Sequence, residues 1–161
     1  MFVFDFRVTR SKKMFIFFAV ASILTALICI FGMMSMQNGF HSEATCDEIG
    51  TYSLKAENFD RQCDFLGQFG LKADEITDST EIVIPAEFND TYEEYNELQK
   101  RIGLDLEAYK GKPAEKITYK LNNSKIGYAV LLVCNGYVIG GHLTNGEYGS
   151  KNMPLNNYGK T

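Results

Sequence analysis

Cys134 and His142 could pair across a strand end, and a thiolate beside a general base is the minimum for nucleophilic catalysis. No Gly-x-Ser-x-Gly accompanies them, and Cys134 closes an apolar run. A buried thiol near a surface histidine is therefore the better reading, and no catalytic residue is assigned. Glu93, Glu94, Glu97 and Asp105 could supply paired carboxylates for glycoside chemistry. All four lie on or beside a segment with helical spacing whose other face is apolar, so they read as solvated surface and helix-start charge. Asp74, Glu75 and Asp78 lack the spacing of a calcium loop. Gly136 to Gly141 lacks the strand-to-helix setting of a phosphate-binding loop. His41 and His142 stand apart from any cysteine pair and no C-x-x-C occurs, so neither a metal nor any other cofactor is expected.

Tyr95, Asn96, Gln99, Asp105, Tyr109 and Lys110 form the most informative set. They gather aromatic bodies with polar tips around a helix end and the turn after it, which suits ligand or partner binding. The competing reading is structural: Tyr95 in the core, Asn96 and Gln99 bonded to nearby backbone, and Asp105 capping a turn.

The elements that must position these groups follow from periodicity. Phe59, Cys63, Phe65, Leu66 and Phe69 make one helical stripe, stopped by Gly70. Leu71–Ile76 and Glu81–Ile84 read as two short strands turned at Asp78-Ser79. Asp90 through Glu93 fits a capping box, and Tyr92, Tyr95, Leu98 and Ile102 then form a helical face ended by Gly103. Leu104–Tyr109 adds a short helical turn capped by Asp105, broken at Lys110–Pro113. Ile117, Tyr119 and Leu121 alternate as a half-buried strand does, and Ala129–Cys134 is the continuous run of a strand buried on both faces. Asn135-Gly136 between apolar runs predicts a hairpin, with Gly140-Gly141 ending or bulging its second strand. The expected fold class is α+β: one N-terminal transmembrane helix, then a small domain with two amphipathic helices on one face of a mostly antiparallel sheet.

The chain has 161 residues, and residues 14–36 hold no charge. That run is long enough to cross about 30 Å of hydrocarbon as a helix. Arg7, Arg10, Lys12 and Lys13 precede it against Asp5 alone, which holds that side in the cytoplasm. A cleaved signal peptide would have a shorter apolar region and a small-residue cleavage site. A lipoprotein anchor at Cys29 would need a small residue where Ile28 stands. A retained single-pass anchor is the preferred reading. It divides the chain into a cytoplasmic basic tail (1–13), a membrane helix (14–36), a linker (37–51), an outer domain (52–143) and a flexible C-terminal tail (144–161).

Beyond residue 36, twelve Lys and Arg face nineteen Asp and Glu, a net of −7, so the outer part should not seek nucleic acid. About 125 residues suffice for one small domain, which excludes a multidomain enzyme and a polytopic transporter. Three outer cysteines, Cys46, Cys63 and Cys134, cannot all pair within the chain. A Cys46–Cys63 disulfide and free, inert thiols both remain open.

Ile84, Pro85 and Phe88; Tyr92, Tyr95, Asn96 and Gln99; Gly103, Asp105 and Leu106; Tyr109, Lys110 and Gly111; and Asn135-Gly136 with Gly140-Gly141 form a recognisable series. On these residues, positions 57–143 resemble a family of uncharacterised, membrane-anchored outer domains of clostridia-type Gram-positive bacteria. The resemblance implies a location and a fold, with no catalytic residue to carry over. The functional expectation is a non-enzymatic interaction, sensor or accessory module whose partner is another membrane or envelope protein. The alternative is a binder of a small envelope ligand, a peptide or peptidoglycan fragment, near Tyr95–Tyr109. A hydrolase using Cys134 and His142 is a distant third.

Overall fold

The computed structural model describes residues 18, 22–27, 41–122, 126–147 and 149–157, and it divides into residues 1–40 and 41–161. In the first unit Phe18 and residues 22–27 are helical. Most of the expected membrane helix, 14–36, lies outside the described residues, among which no helix is long and apolar enough to cross a membrane.

The second unit is built on the apolar run Tyr128–Cys134, which is strand β5 and is buried at every position after Tyr128. Its neighbours are β4 (Pro113–Leu121) and β6 (Tyr137–Thr144), and β3 (Ala73–Val83) completes an antiparallel sheet in the order β3-β4-β5-β6. Asn135 and Gly136 both take positive φ, 50° and 78°, as the tight β5–β6 turn requires. Strands β5 and β6 bury both sides because their residues alternate between two covered layers. Tyr119, Ala129 and Leu143 stand in register on one face, and Thr118, Val130 and His142 on the other.

Helix α1 (Phe59–Gln68) starts at Asn58, whose side chain accepts from Arg61 N–H, and ends where Leu71 N–H bonds back to Leu66. It covers the Tyr119 face: Gln62 accepts from the Tyr119 hydroxyl, and Phe59 packs on the same ring. Helix α2 (Asp90–Lys100) reaches the opposite face, where Tyr95 meets His142. The expectation of two helices on one face is thus corrected. Adjacent residues of a strand point to opposite sides, and α1 and α2 hold Tyr119-side and His142-side positions respectively.

Other expectations change locally. The two strands read at 71–76 and 81–84 are one eleven-residue strand, β3, because the register shifts at Ala73/Glu75 and Ile76/Asp78 absorb the polar centre without a turn. The cap of α2 is Asn89, one residue before the expected Asp90. Gly140-Gly141 lie inside β6, not at its end, and the register shift falls beside them at Leu132/Val133. The residues assigned to a linker, 37–51, contain β1 (Glu43–Cys46) and the start of β2 (Gly50–Ser53), which pair as a hairpin. Tyr52 of that hairpin packs on Phe69 and donates to the Ile102 carbonyl. The segment expected as a mobile tail returns to the sheet: Met153 bridges Leu143, and Leu155 is fully buried.

Candidate functional site

Asn96 and Gln99 lie on the inward side of α2 and are fully buried. The Asn96 side-chain carbonyl accepts from Leu106 N–H at 2.8 Å, and its amide donates to Asp105 at 2.9 Å. Asp105 also accepts from Glu107 N–H, which caps the 3-10 turn Leu106–Tyr109. Partial burial pushes the Asp105 carboxyl up, but these hydrogen bonds, with Lys100 and Lys110 nearby, hold it below the ordinary range. Gln99 accepts from Gly141 N–H at 2.7 Å and donates to the Tyr95 carbonyl at 3.4 Å. Gly141 N–H lies on the outer edge of β6, so Gln99 satisfies a donor that no further described strand reaches. Gly140 gives α2 its close approach, and Gly141 makes room on the other face for Leu155. A Cβ on Gly140 would meet Gln99 and Leu106 at 3.3 Å, and one on Gly141 would meet Leu131 and Leu155 at 3.0 Å.

Tyr95 bridges the inward and outward sides of α2. Its hydroxyl shares a 2.9 Å hydrogen bond with His142 Nδ1. Burial, with Tyr92 beside it, pushes the Tyr95 phenol well above its ordinary value. Burial, helped by Lys116, pushes His142 down to about 4. The pair is therefore neutral near pH 7. A row of rings runs outward from it: Tyr95 to His142 at 5.4 Å, Tyr92 to Tyr95 at 5.8 Å, Phe88 to Tyr92 at 4.8 Å. The Lys110 ammonium closes the row, 4.1 Å above the Phe88 ring and 2.7 Å from Glu107. Tyr109 is buried, with the Lys112 ammonium 5.1 Å from its ring centroid.

The outward side of α2 frames a groove of about 440 Å³, lined by Thr91, Tyr92, Glu94, Tyr95, Leu98 and the returning residues Lys151 and Asn152. Its floor is aromatic and aliphatic, with an acid on the helix and a base on the returning segment. Of the six residues singled out by the sequence, the structure brings Tyr95 to this groove. Asn96, Gln99 and Asp105 serve the internal network, Lys110 sits at the far end of the ring row, and Tyr109 is buried against Lys112. Tyr92, Leu98 and Glu94 were legible as helix positions. Lys151 and Asn152 had no local signal, because a single backbone bridge at Met153 brings them there.

Cys134 and His142 do not form a dyad. Cys134 pairs with Tyr137 and His142 with Val130, four residues apart along β5, roughly 13 Å at strand spacing. The Cys134 thiol instead donates to the Pro113 carbonyl at 3.2 Å. Cys46, Cys63 and Cys134 are free, so the Cys46–Cys63 disulfide is not formed.

No curated protein and no solved structure matches the chain. Residues 65–143, from within α1 to near the end of β6, match the family model described as domain of unknown function DUF4830, and this match supports an uncharacterised domain.

Proposed function

We propose that the chain is a single-pass membrane protein, anchored through residues 14–36 with its N-terminus in the cytoplasm. In this reading the C-terminal domain stands outside a Gram-positive cell and docks a protein partner of the membrane or envelope. The groove beside α2 supports this most directly. Tyr92, Tyr95 and Leu98 offer an apolar floor to an inserted side chain, while Glu94 and Lys151 at the rim offer one charge of each sign to the partner's backbone and flanking residues. The uncharged run and its basic flank support the anchor and its orientation.

The test is crosslinking in intact cells of the chain tagged at its C-terminus, followed by mass spectrometry, with Leu98→Glu as the groove variant. A recurrent near-stoichiometric protein, lost in Leu98→Glu at an unchanged melting temperature, is the expected result. No recurrent partner on a folded, membrane-fractionated chain would overturn it. The groove volume also falls within the size of small-ligand sites, which favours a second reading, a peptidoglycan fragment in the same groove. Shifts of Tyr92 and Tyr95 resonances on adding a muropeptide, without a protein partner in cells, would select that reading.

A further inference from the structure

The two edges of the sheet are treated very differently. The outer edge of β6 is closed along its length. Gly136 and Val138 bond the backbone of Ala56 and Leu54 at 2.7 and 2.8 Å, Gln99 takes Gly141 N–H, and Met153 exchanges two bonds with Leu143. At the other edge, β3 pairs with β4 alone among the described residues. It is exposed along nearly its whole length, and Val83 is 65 % exposed. After its second register shift the strand runs regularly from Asp78 to Val83, opposite Thr118 to Pro113. A regular edge of six residues is a template for another strand.

The charge on that edge is one-sided. β3 bears Asp74, Glu75, Asp78 and Glu81 and no basic residue. Lys120 and Lys116 of β4 pair with Glu75 and Asp78 at 3.5 and 3.6 Å. Glu81 stands directly opposite Glu115, which accepts from the Ser79 hydroxyl at 2.6 Å, and no described cation lies within ion-pair range of either carboxylate. Like charges facing across a strand pair are unfavourable. A concavity of about 400 Å³ opens beside both carboxylates, lined also by Pro113, Val133 and Asn135. Space next to two carboxylates that no described cation pairs fits an incoming ammonium or guanidinium.

We propose that β3 is a docking edge for an extended, lysine- or arginine-bearing segment of a partner protein, which adds as a further strand beside Asp78–Val83 and places its cation between Glu81 and Glu115. Val83 lies two residues from Glu81 on the same face, so the segment presents an apolar residue two positions from its cation. A second copy of this chain is a poorer occupant, because β3 against β3 would oppose two sets of four carboxylates.

The detergent-solubilised full chain is titrated with the fluorescent peptide Lys-Thr-Val-Thr-Lys-Thr-Val-Thr, read by anisotropy and by hydrogen exchange. Saturable binding that weakens with salt and slows amide exchange within 78–83 is expected. Glu81→Lys should bind roughly tenfold more weakly, and Glu81→Gln by an intermediate factor, at unchanged melting temperature. The matching peptide with Glu in place of Lys should prefer Glu81→Lys. Absence of binding, protection confined to the α2 groove, affinity unchanged in both folded variants, or self-association through β3 would each overturn the proposal.

Discussion

Gln99 links a helix to a strand edge with one side chain, and that makes it sensitive. Replacing it with alanine strands the buried Gly141 N–H and removes the donor to the Tyr95 carbonyl. Gln99→Ala is expected to lose about 2–3 kcal/mol in urea unfolding, the cost of an unsatisfied buried donor with its lost packing. His142 makes a prediction in pH. Its folded pKa, about 4, lies below the ordinary 6.5, so the unfolded chain takes up the proton first as pH falls. Its contribution is therefore complete above pH 6.5 and is lost between 6.5 and about 4, at a slope no steeper than about 1.4 kcal/mol per pH unit. His142→Gln should flatten the stability curve in that window, measured by thermal melts at stepped pH. The identities of Gln99 and Tyr95 were visible in the sequence as a polar cluster, but their partners were not. Gly141 and His142 lie more than forty residues away, and only the sheet brings them to α2.

At the level of elements, both helices end alike, in a glycine with positive φ followed by a buried leucine: Gly70-Leu71 after α1 and Gly103-Leu104 after α2. These stops were legible because they depend on local backbone preference. What differs is the surroundings. A Cβ on Gly103 would run into the Thr45 carbonyl of β1, whereas Gly111, also with positive φ, has open space around it. Gly111→Ala should cost only the backbone penalty, about 1–2 kcal/mol. Gly103→Ala should cost clearly more and should loosen the β1–β2 hairpin, read as faster amide exchange at 43–53. The hairpin itself was missed because its sequence, EATC and GTYS, is too short and polar to show a period. It forms because Tyr52 anchors it between Phe65, Phe69 and Ile102.

Across the whole domain, the chain is drawn together by returns at both ends. The hairpin before α1 and the segment after β6 each pack on a core centred on β4 and β5. Leu155 is fully buried against Gly141, so Leu155→Ala should destabilise the domain by about 2–4 kcal/mol, a loss that a dispensable tail could not produce. Equilibrium denaturation of the full-length variant checks it. The same return supplies Lys151 and Asn152 to the groove, so this variant should also weaken partner capture there. Hydrogen exchange should be slowest in β5 and fastest along β3, following the closed and open edges of the sheet.

The sequence by itself determined the central strand, the Asn-Gly hairpin, the positions of both helices and their stops, and the α+β class. Each rests on periodicity or on the φ a turn requires, and both are local properties. Only the tertiary structure decided that the helices cover opposite faces, that 73–83 is one bulged edge strand, and that Asn96 and Gln99 are internal fasteners. It alone moved Lys151 into reach of Tyr92 and kept Cys134 away from His142. Those outcomes depend on register and on which edge each returning segment seals. A pairing shifted by one residue would exchange the faces of every side chain in the strand, and short-range spacing carries no information about that choice.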